Sequence, residues 1–465
     1  MIDFVKIEDI KPADYNPRLL TDDAKARLLA SISRLGLIKP IVLRRSDNRV
    51  IAGHQRSKCL RELGNVVVPC FYVDNVSSED EVRFNQLHNR LEIEYTDKQP
   101  RIKVDCTNLP FGQFVKLPTS AYTIIDAGEK GGVARELSKL IILYGDFGSA
   151  VCDQDGNLIV STIYALCSLL LGRDLYVYRL NKEQSEFAKE VFSQSYGEFN
   201  YDNIKRETYI QNLAQMYRLN GEDEKKQNCS QLYELFVIPK ITKQMRVLDF
   251  AAGKKAYANK LAKNGYNIKA LEFYYRDKCD IIAYNQVMAD FDEIVEDIEN
   301  NGLFDAVVCD SVLNSVDSPK AEISVLKTLQ SLCKPNGYIF VSGRPIEAFE
   351  KDTKTSGSKL QSFYFFDKDG FTANLRKGHW FFQRGHTREE IKELALFFGK
   401  EHTIKNGKNS FQIFARNENR PNIGQNEDAI SFEFTLPLPN GKRYALDGRM
   451  MQCLRAAEEK MLVGK

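Results

Sequence analysis

Three groups of residues have the types and spacing to do chemistry. The first is Asp249-Phe250-Ala251-Ala252-Gly253, where a short apolar run breaks into small residues before a helical stretch. Such a turn lets backbone amides approach a ligand. Glu272 follows at about the 20-residue distance at which a strand-end carboxylate meets two ribose hydroxyls. The second is Gly53-His54-Gln55-Arg56, again at the start of a helical stretch. A glycine permits close approach to an anion, and a helix N-terminus points amides at it. Arg56 can grip phosphate oxygens through two parallel bonds, and His54 can donate a hydrogen bond or move a proton. Arg44, Arg45, Arg49, Lys58 and Arg61 thicken the positive charge nearby. The third is the aromatic stretch after Arg344, in which His379, Trp380 and Arg384 form a candidate substrate-facing cluster. A buried hairpin explains those aromatics equally well.

The elements that must position these groups are legible in outline. Thr21-Asp22-Asp23 caps a helix with apolar positions Leu28, Leu29, Ile32 and Leu35, stopped by Gly36. A strand from Ile38 to Leu43, a turn, Val50-Ile51-Ala52, the Gly53 turn, a helix closed by Gly64 and a strand Val66 to Val73 complete a unit over residues 1–95. The same succession recurs over 96–195, with Ser161-Thr162-Ile163-Tyr164 standing where Gly53-His54-Gln55-Arg56 stands in the first copy. The second copy keeps the fold signals and loses the phosphate box, which predicts a scaffold, a dimerising element or a DNA-contact surface. Residues 196–239 read as a helical connector with a charged turn at 221–226 and interleaved aromatics including Tyr196, Tyr201, Tyr209 and Tyr217. From Arg246 strand and helix alternate, with Asp310 ending the strand Phe304–Cys309, through 240–415. Residues 416–430 read as a polar linker, and the rest as a hairpin (Phe432 to Tyr444) and a short helix.

Two resemblances follow from these landmarks. The lead-in DYNPRLLTDDAKARLLASISRLGLIKPIVLR and the box IAGHQRSKCLRELG resemble the ParB/sulfiredoxin-like N-terminal domain. That resemblance implies nucleotide-phosphate binding at Gly53, His54, Gln55 and Arg56, a nucleoside triphosphate with Mg2+, or a DNA-associated role. VLDFAAGKKAYANKLAKNGYNIKALEF and the later FDAVVCDSVLNSVDSP and KPNGYIFVSGRP stretches resemble a class I S-adenosylmethionine-dependent methyltransferase. It implies a Rossmann-like fold, S-adenosylmethionine as cofactor, and Asp249, Ala251, Gly253 and Glu272 as cofactor-binding residues. Asp310 and Asn314 are then the candidates to orient the methyl acceptor, since methyl transfer from a sulfonium needs in-line positioning. Ala251 and Lys255 stand where the family has glycines. Lys255 is expected to point outward. The chain is therefore an α/β multidomain protein: one ParB-like α+β unit, a degenerate second copy, then a methyltransferase fold.

Composition narrows the function classes. The 465 residues carry 65 lysines and arginines against 63 acids, so the chain does not act as one large polycation. Its mean hydropathy of -0.38 and the lack of a long apolar run predict no membrane partner and a cytoplasmic location. Ten cysteines show no short Cys-Cys or Cys-His spacing, which points to small buried hydrophobes in a reducing compartment and to no metal site. The leading reading is a methyltransferase acting on DNA or another nucleic acid, with base access by flipping or a single strand. A second reading is a nucleotide-switched DNA-binding adaptor with a vestigial methyltransferase fold. A third is ATP or CTP hydrolysis or phosphotransfer in the ParB-like domain. A homodimer is left open.

Overall fold

The computed structural model describes residues 1–16, 18–93, 99–128, 132–192, 198–202, 204–220, 227–277, 281–349, 366–376 and 378–463. They divide into two units, one of residues 1–204 with 351–368 and 374–378, the other of 205–350, 369–373 and 379–465. Among the described residues no helix is long and apolar enough to cross a membrane.

In the first unit, Thr21 Oγ1 accepts the Ala24 N–H at 3.2 Å and starts the helix Asp22–Leu35, which Gly36 ends with φ 72°. Its sheet runs Ile2–Lys6, Val67–Val73, Ile41–Arg44, Arg49–Ala52 from edge to edge. The successive pairings are antiparallel, parallel and antiparallel. A second sheet runs Phe114–Leu117, Leu175–Arg179, Ser149–Cys152, Leu158–Val160, with the same succession of pairings. The helices His54–Glu62 and Thr162–Leu170 follow the last strand of each sheet. They are entered through left-handed Gly53 and Ser161, at φ 101° and 59°. Both lobes contribute to one hydrophobic core, in which Val42, Ile51, Phe71 and Phe84 meet Leu137, Leu140, Phe147 and Val177.

The second unit is built on a six-stranded sheet in the order Ile268–Leu271, Val247–Phe250, Phe304–Cys309, Cys333–Gly343, Phe411–Arg416, His402–Asn406. The first four strands are parallel; Phe411–Arg416 runs antiparallel to both its neighbours. Val247, Leu248, Asp249 and Phe250 are all buried, as a strand with helices on both faces requires. The strand order reverses between Val247–Phe250 and Phe304–Cys309. In an open sheet of this kind the ligand crevice lies there, outside the carboxyl ends of the strands.

The structure corrects three expectations. Residues 196–239 are not one helical connector. They contain the strand Glu198–Phe199, a 3-10 stretch Thr208–Ala214, a π-helical turn Tyr233–Val237 and a short helix Ile238–Lys240. Local side-chain bonds such as Asp202 N–H to Asn200 Oδ1 at 2.7 Å compete with helix there. Tyr201, Ile204 and Ile210 are buried one by one, away from any common stripe. The charged turn 221–226, Tyr196 and the aromatics 363–365 lie outside the described residues. Nor is 416–430 a polar linker. Ile423 and Ile430 are fully buried, and the helix Glu427–Phe434 joins the core. Its polar residues satisfy buried carbonyls: Asn417 Nδ2 donates to those of Gln330, Cys333 and Lys334 at 2.9, 3.1 and 3.3 Å. Phe432 is thus helical, the tight turn spans only 437–443, and the last helix, Asp447–Val463, is 17 residues long. Third, Lys255 turns inward, as the site geometry shows.

Candidate active site

The buried strand Val247–Phe250 delivers Asp249 to the crevice and then breaks into three left-handed residues: Ala251, Gly253 and Lys255 at φ 55°, 55° and 56°. The backbone shape that alternating glycines would adopt is retained, although two of the three residues carry a Cβ. Left-handed geometry costs a non-glycine residue roughly 1–2 kcal/mol, so the surroundings must hold it. They do. Ala252 N–H donates to Leu271 O at 3.0 Å, tying the loop to the neighbouring strand. Glu272 accepts the Gly253 N–H at 2.8 Å on one oxygen and the Tyr274 N–H at 2.9 Å on the other. Lys255 is buried, pairs with Asp290 and lies over the Tyr275 ring at 4.7 Å.

The crevice is acid-lined. Burial pushes the Asp249 carboxyl up to about 8, with Asp310 and Glu272 adding to the rise. Glu272 is raised by burial too, against the pull of the two backbone N–H groups it accepts. Glu433, on the helix Glu427–Phe434, is held at about 8 by burial and by Asp317. Asp310 accepts from Ser342 Oγ at 2.7 Å and pairs with Arg218 at 3.3 Å. Arg218 also reaches Ser311 Oγ at 3.3 Å, and Ser311 is itself left-handed at φ 63°.

The segment before the sheet lies across this edge. Gln215 carbons sit 3.8 Å from where a Cβ on Gly253 would be, and Lys254 Nζ lies 5.5 Å from the Tyr217 ring centre. Gln211 is buried and brackets Phe382, giving its Nε2–H to Phe382 O at 2.6 Å and accepting Phe382 N–H at 3.1 Å. Neither Arg218 nor Gln211 carries a motif. Only the fold brings them to the sheet edge.

The structure gathers Asp249, Ala251, Gly253, Glu272 and Asp310 at the strand ends. Asn314 is buried on the loop after the strand; its Nδ2 donates to Ser315 Oγ at 3.2 Å, and its Oδ1 has no hydrogen-bond partner. The proposed substrate cluster is not brought together. His379 Nδ1 pairs with Glu207 at 2.6 Å, and Trp380 is half-buried. Arg384 is 8% exposed and neutralised by Glu322 at 2.9 Å and Glu390 at 2.8 Å, so its charge serves the fold. Glu322 reaches it from a helix far away in sequence, and Glu390 from the helix that follows its own strand.

In the first unit, Gly53 is left-handed as its box requires, and His54 is buried. Asn85 Nδ2 donates both to Ile51 O at 3.3 Å and to His54 Nδ1 at 3.1 Å. His54 also engages the backbone of Val50, and its Nε2 is buried. Burial first, then Lys58 and Arg56, pull the imidazole down to about 3, so it stays neutral. Arg56 is also buried. Its Nη1 donates to Lys39 O and, at 3.3 Å, to Pro40 O, and Gln55 lies half-buried between the two. The box arginine is thus engaged with backbone carbonyls of its own lobe.

Comparison with known proteins agrees with both architectures. Residues 1–90 match the family model of the ParB N-terminal domain, and residues 221–385 match that of a methyltransferase domain. The chain joins a ParB N-terminal domain to a methyltransferase domain. Among solved structures, a SAM-dependent methyltransferase from Methanosarcina mazei is 14% identical, covering 39% of this chain and 95% of that one, at a TM-score of 0.27. A Burkholderia thailandensis 1,6-didemethyltoxoflavin-N1-methyltransferase is 16% identical over 37% of this chain and 70% of that one, at 0.24. A Pnob8-like ParB-N domain is 20% identical over 21% of this chain and 40% of that one, at 0.18. These partial likenesses assign no substrate. No curated protein matches the chain. The methyltransferase match ends at residue 385, so Glu433 and the helix that carries it lie beyond it.

Proposed function

We propose that the second unit transfers a methyl group from S-adenosylmethionine to DNA or another nucleic acid, and that the ParB N-terminal domain binds nucleotide phosphate or DNA. The observation that carries the first half is the loop 251–255, left-handed at Ala251, Gly253 and Lys255, with Glu272 bonded to its central N–H. Asp249, Ala251, Gly253 and Glu272 would hold the cofactor. When bound, it supplies an electrophilic methyl group. Asp310 and Asn314 then position the acceptor, Asp310 as a carboxylate fixed by Ser342 and Arg218 and Asn314 through its open amide oxygen.

The nucleic-acid target rests on domain company. For the first unit the support is the helix His54–Glu62, entered through left-handed Gly53, whose N-terminal backbone N–H groups can meet a phosphate oxygen. A cytoplasmic site of action goes with that substrate.

Purified protein incubated with methyl-labelled cofactor and DNA, RNA or nucleotides tests the enzyme reading: label should enter a nucleic acid and be lost with Glu272→Gln. No transfer to any of the three would reject it. The adaptor reading draws on one observation, the inward Lys255 beside Glu272. Nucleotide binding that depends on His54, in a protein that binds no S-adenosylmethionine, would favour it.

A further inference from the structure

The first unit contains the same topology twice, and the two copies pack in a reciprocal way. Each lobe has a helix before its central strands, Asp22–Leu35 in the first and Gly132–Tyr144 in the second. Each has a helix after its last strand, Ser78–Ile93 and Lys182–Phe192. The early helix of one lobe meets the late helix of the other, in both directions. On one side Arg34 lies 4.7 Å over the Phe187 ring. On the other, Arg83 pairs with Glu136 at 3.7 Å, Tyr144 OH donates to Asp80, and Phe84 packs on Phe147 at 4.4 Å. Between them the equivalent strands Val67–Val73 and Leu175–Arg179 meet through Phe71 and Tyr176, 5.7 Å apart. Reciprocal contacts flanking a contact of an element with its own equivalent are what a two-fold axis produces.

The box position follows the same rule. Arg56 and Tyr164 are the third residues of their nine-residue helices. Both reach back to the loop before the central strand. Arg56 donates to the carbonyls of Lys39 and Pro40; Tyr164 OH accepts the N–H groups of Phe147 and Gly148 at 3.1 and 3.0 Å. The latch is kept and its polarity inverted.

We propose that the second lobe is a fused second copy of the first and occupies its self-association face, making the first unit an intramolecular pseudo-dimer. The surface formed by Asp22–Leu35 and Ser78–Ile93 is therefore a recognition surface for a copy of the same fold, satisfied within the chain. Only one lobe keeps the box, so one site remains where a homodimer would have two.

The test uses the full chain and charge reversal at the Arg83–Glu136 contact. Arg83→Glu alone and Glu136→Arg alone set like charges against each other at this contact, within one chain and between identical chains alike, so each should lose stability and keep the wild-type mass by light scattering. An equimolar mixture of the two should form heterodimers, since exchanged lobes pair opposite charges at both contacts, and the double reversal in one chain should recover part of the lost stability at the wild-type mass. Should a reversal prevent folding, Arg83→Gln and Glu136→Gln must show coupled losses of stability in a double-mutant cycle. A mixture of folded reversals that stays at the wild-type mass at all concentrations, or a double reversal no more stable than the single ones, would overturn the proposal.

Discussion

Lys255 decides whether the loop in the methyltransferase unit is a decayed glycine loop or a rebuilt one. Replacing it with glycine removes left-handed strain of roughly 1 kcal/mol. The added freedom of the unfolded chain costs about 0.5–1 kcal/mol, so the backbone terms nearly cancel. What remains is Asp290, whose side chain is 12% exposed and loses the Lys255 charge. Stripping one partner from a buried pair costs about 3 kcal/mol or more, and the hydrogen bond Asp290 keeps from Gln286 at 3.0 Å softens this. We therefore expect Lys255→Gly to destabilise the unit by about 2 kcal/mol. Ala251→Gly has no such partner to lose and should fall within about 0.5 kcal/mol of wild type. Trp380 is the sole tryptophan and lies in this unit, so its fluorescence during urea unfolding reports on it without interference from the first unit. Adding Asp290→Asn to Lys255→Gly should recover part of the loss. A Lys255→Gly protein as stable as wild type, with tighter S-adenosylmethionine binding, would refute the reasoning and make Lys255 a relic.

Four further outcomes are expected. Asp249 and Glu433 are held near 8 in the folded protein against ordinary values near 4. The folded state therefore keeps protons that the unfolded chain has released, and these groups make stability fall as pH rises from about 4 to about 8. Melting temperature followed by Trp380 should show that slope, and Glu433→Gln should flatten it. His54 has the opposite sign: its folded value near 3 lies below the ordinary 6.5, so its contribution is complete above about 6.5 and lost as pH falls toward 3. Hydrogen exchange of the first unit should become less protected over that range, less so in His54→Gln. Tyr164→Phe leaves the Phe147 and Gly148 N–H groups without their acceptor and should cost about 1–3 kcal/mol, comparable to Arg56→Met, by denaturant unfolding read at the first unit's amides. Arg218→Ala frees Asp310 and should lower kcat more than cofactor affinity; an unchanged kcat would place Asp310 outside the reaction.

The local signals were read where physics is local. Thr21, Gly36 and Gly53 act within a few residues, and each stands in the structure as its sequence demands. The strand Val247–Phe250, its turn and Glu272 were legible because a buried parallel strand, a small-residue bend and an acid one strand later are all properties of short segments. Residues 416–430 misled because Asn417 and Asn426 look solvent-facing, and only a folded core supplies the carbonyls they cap. Arg384 misled for the same reason, since Glu322 arrives from elsewhere in the chain.

The sequence by itself determined the elements around the two boxes, the two architectures and the candidate cofactor residues, because propensity, capping and periodicity are set by neighbours along the chain. The tertiary structure alone decided which charges are buried and what they meet. It turned Lys255 toward Asp290, set Arg218 on Asp310, carried Glu433 to a value near 8, and latched Arg56 to its own lobe's carbonyls. Those outcomes depend on desolvation and on partners far away in sequence, and neither exists until the chain has folded.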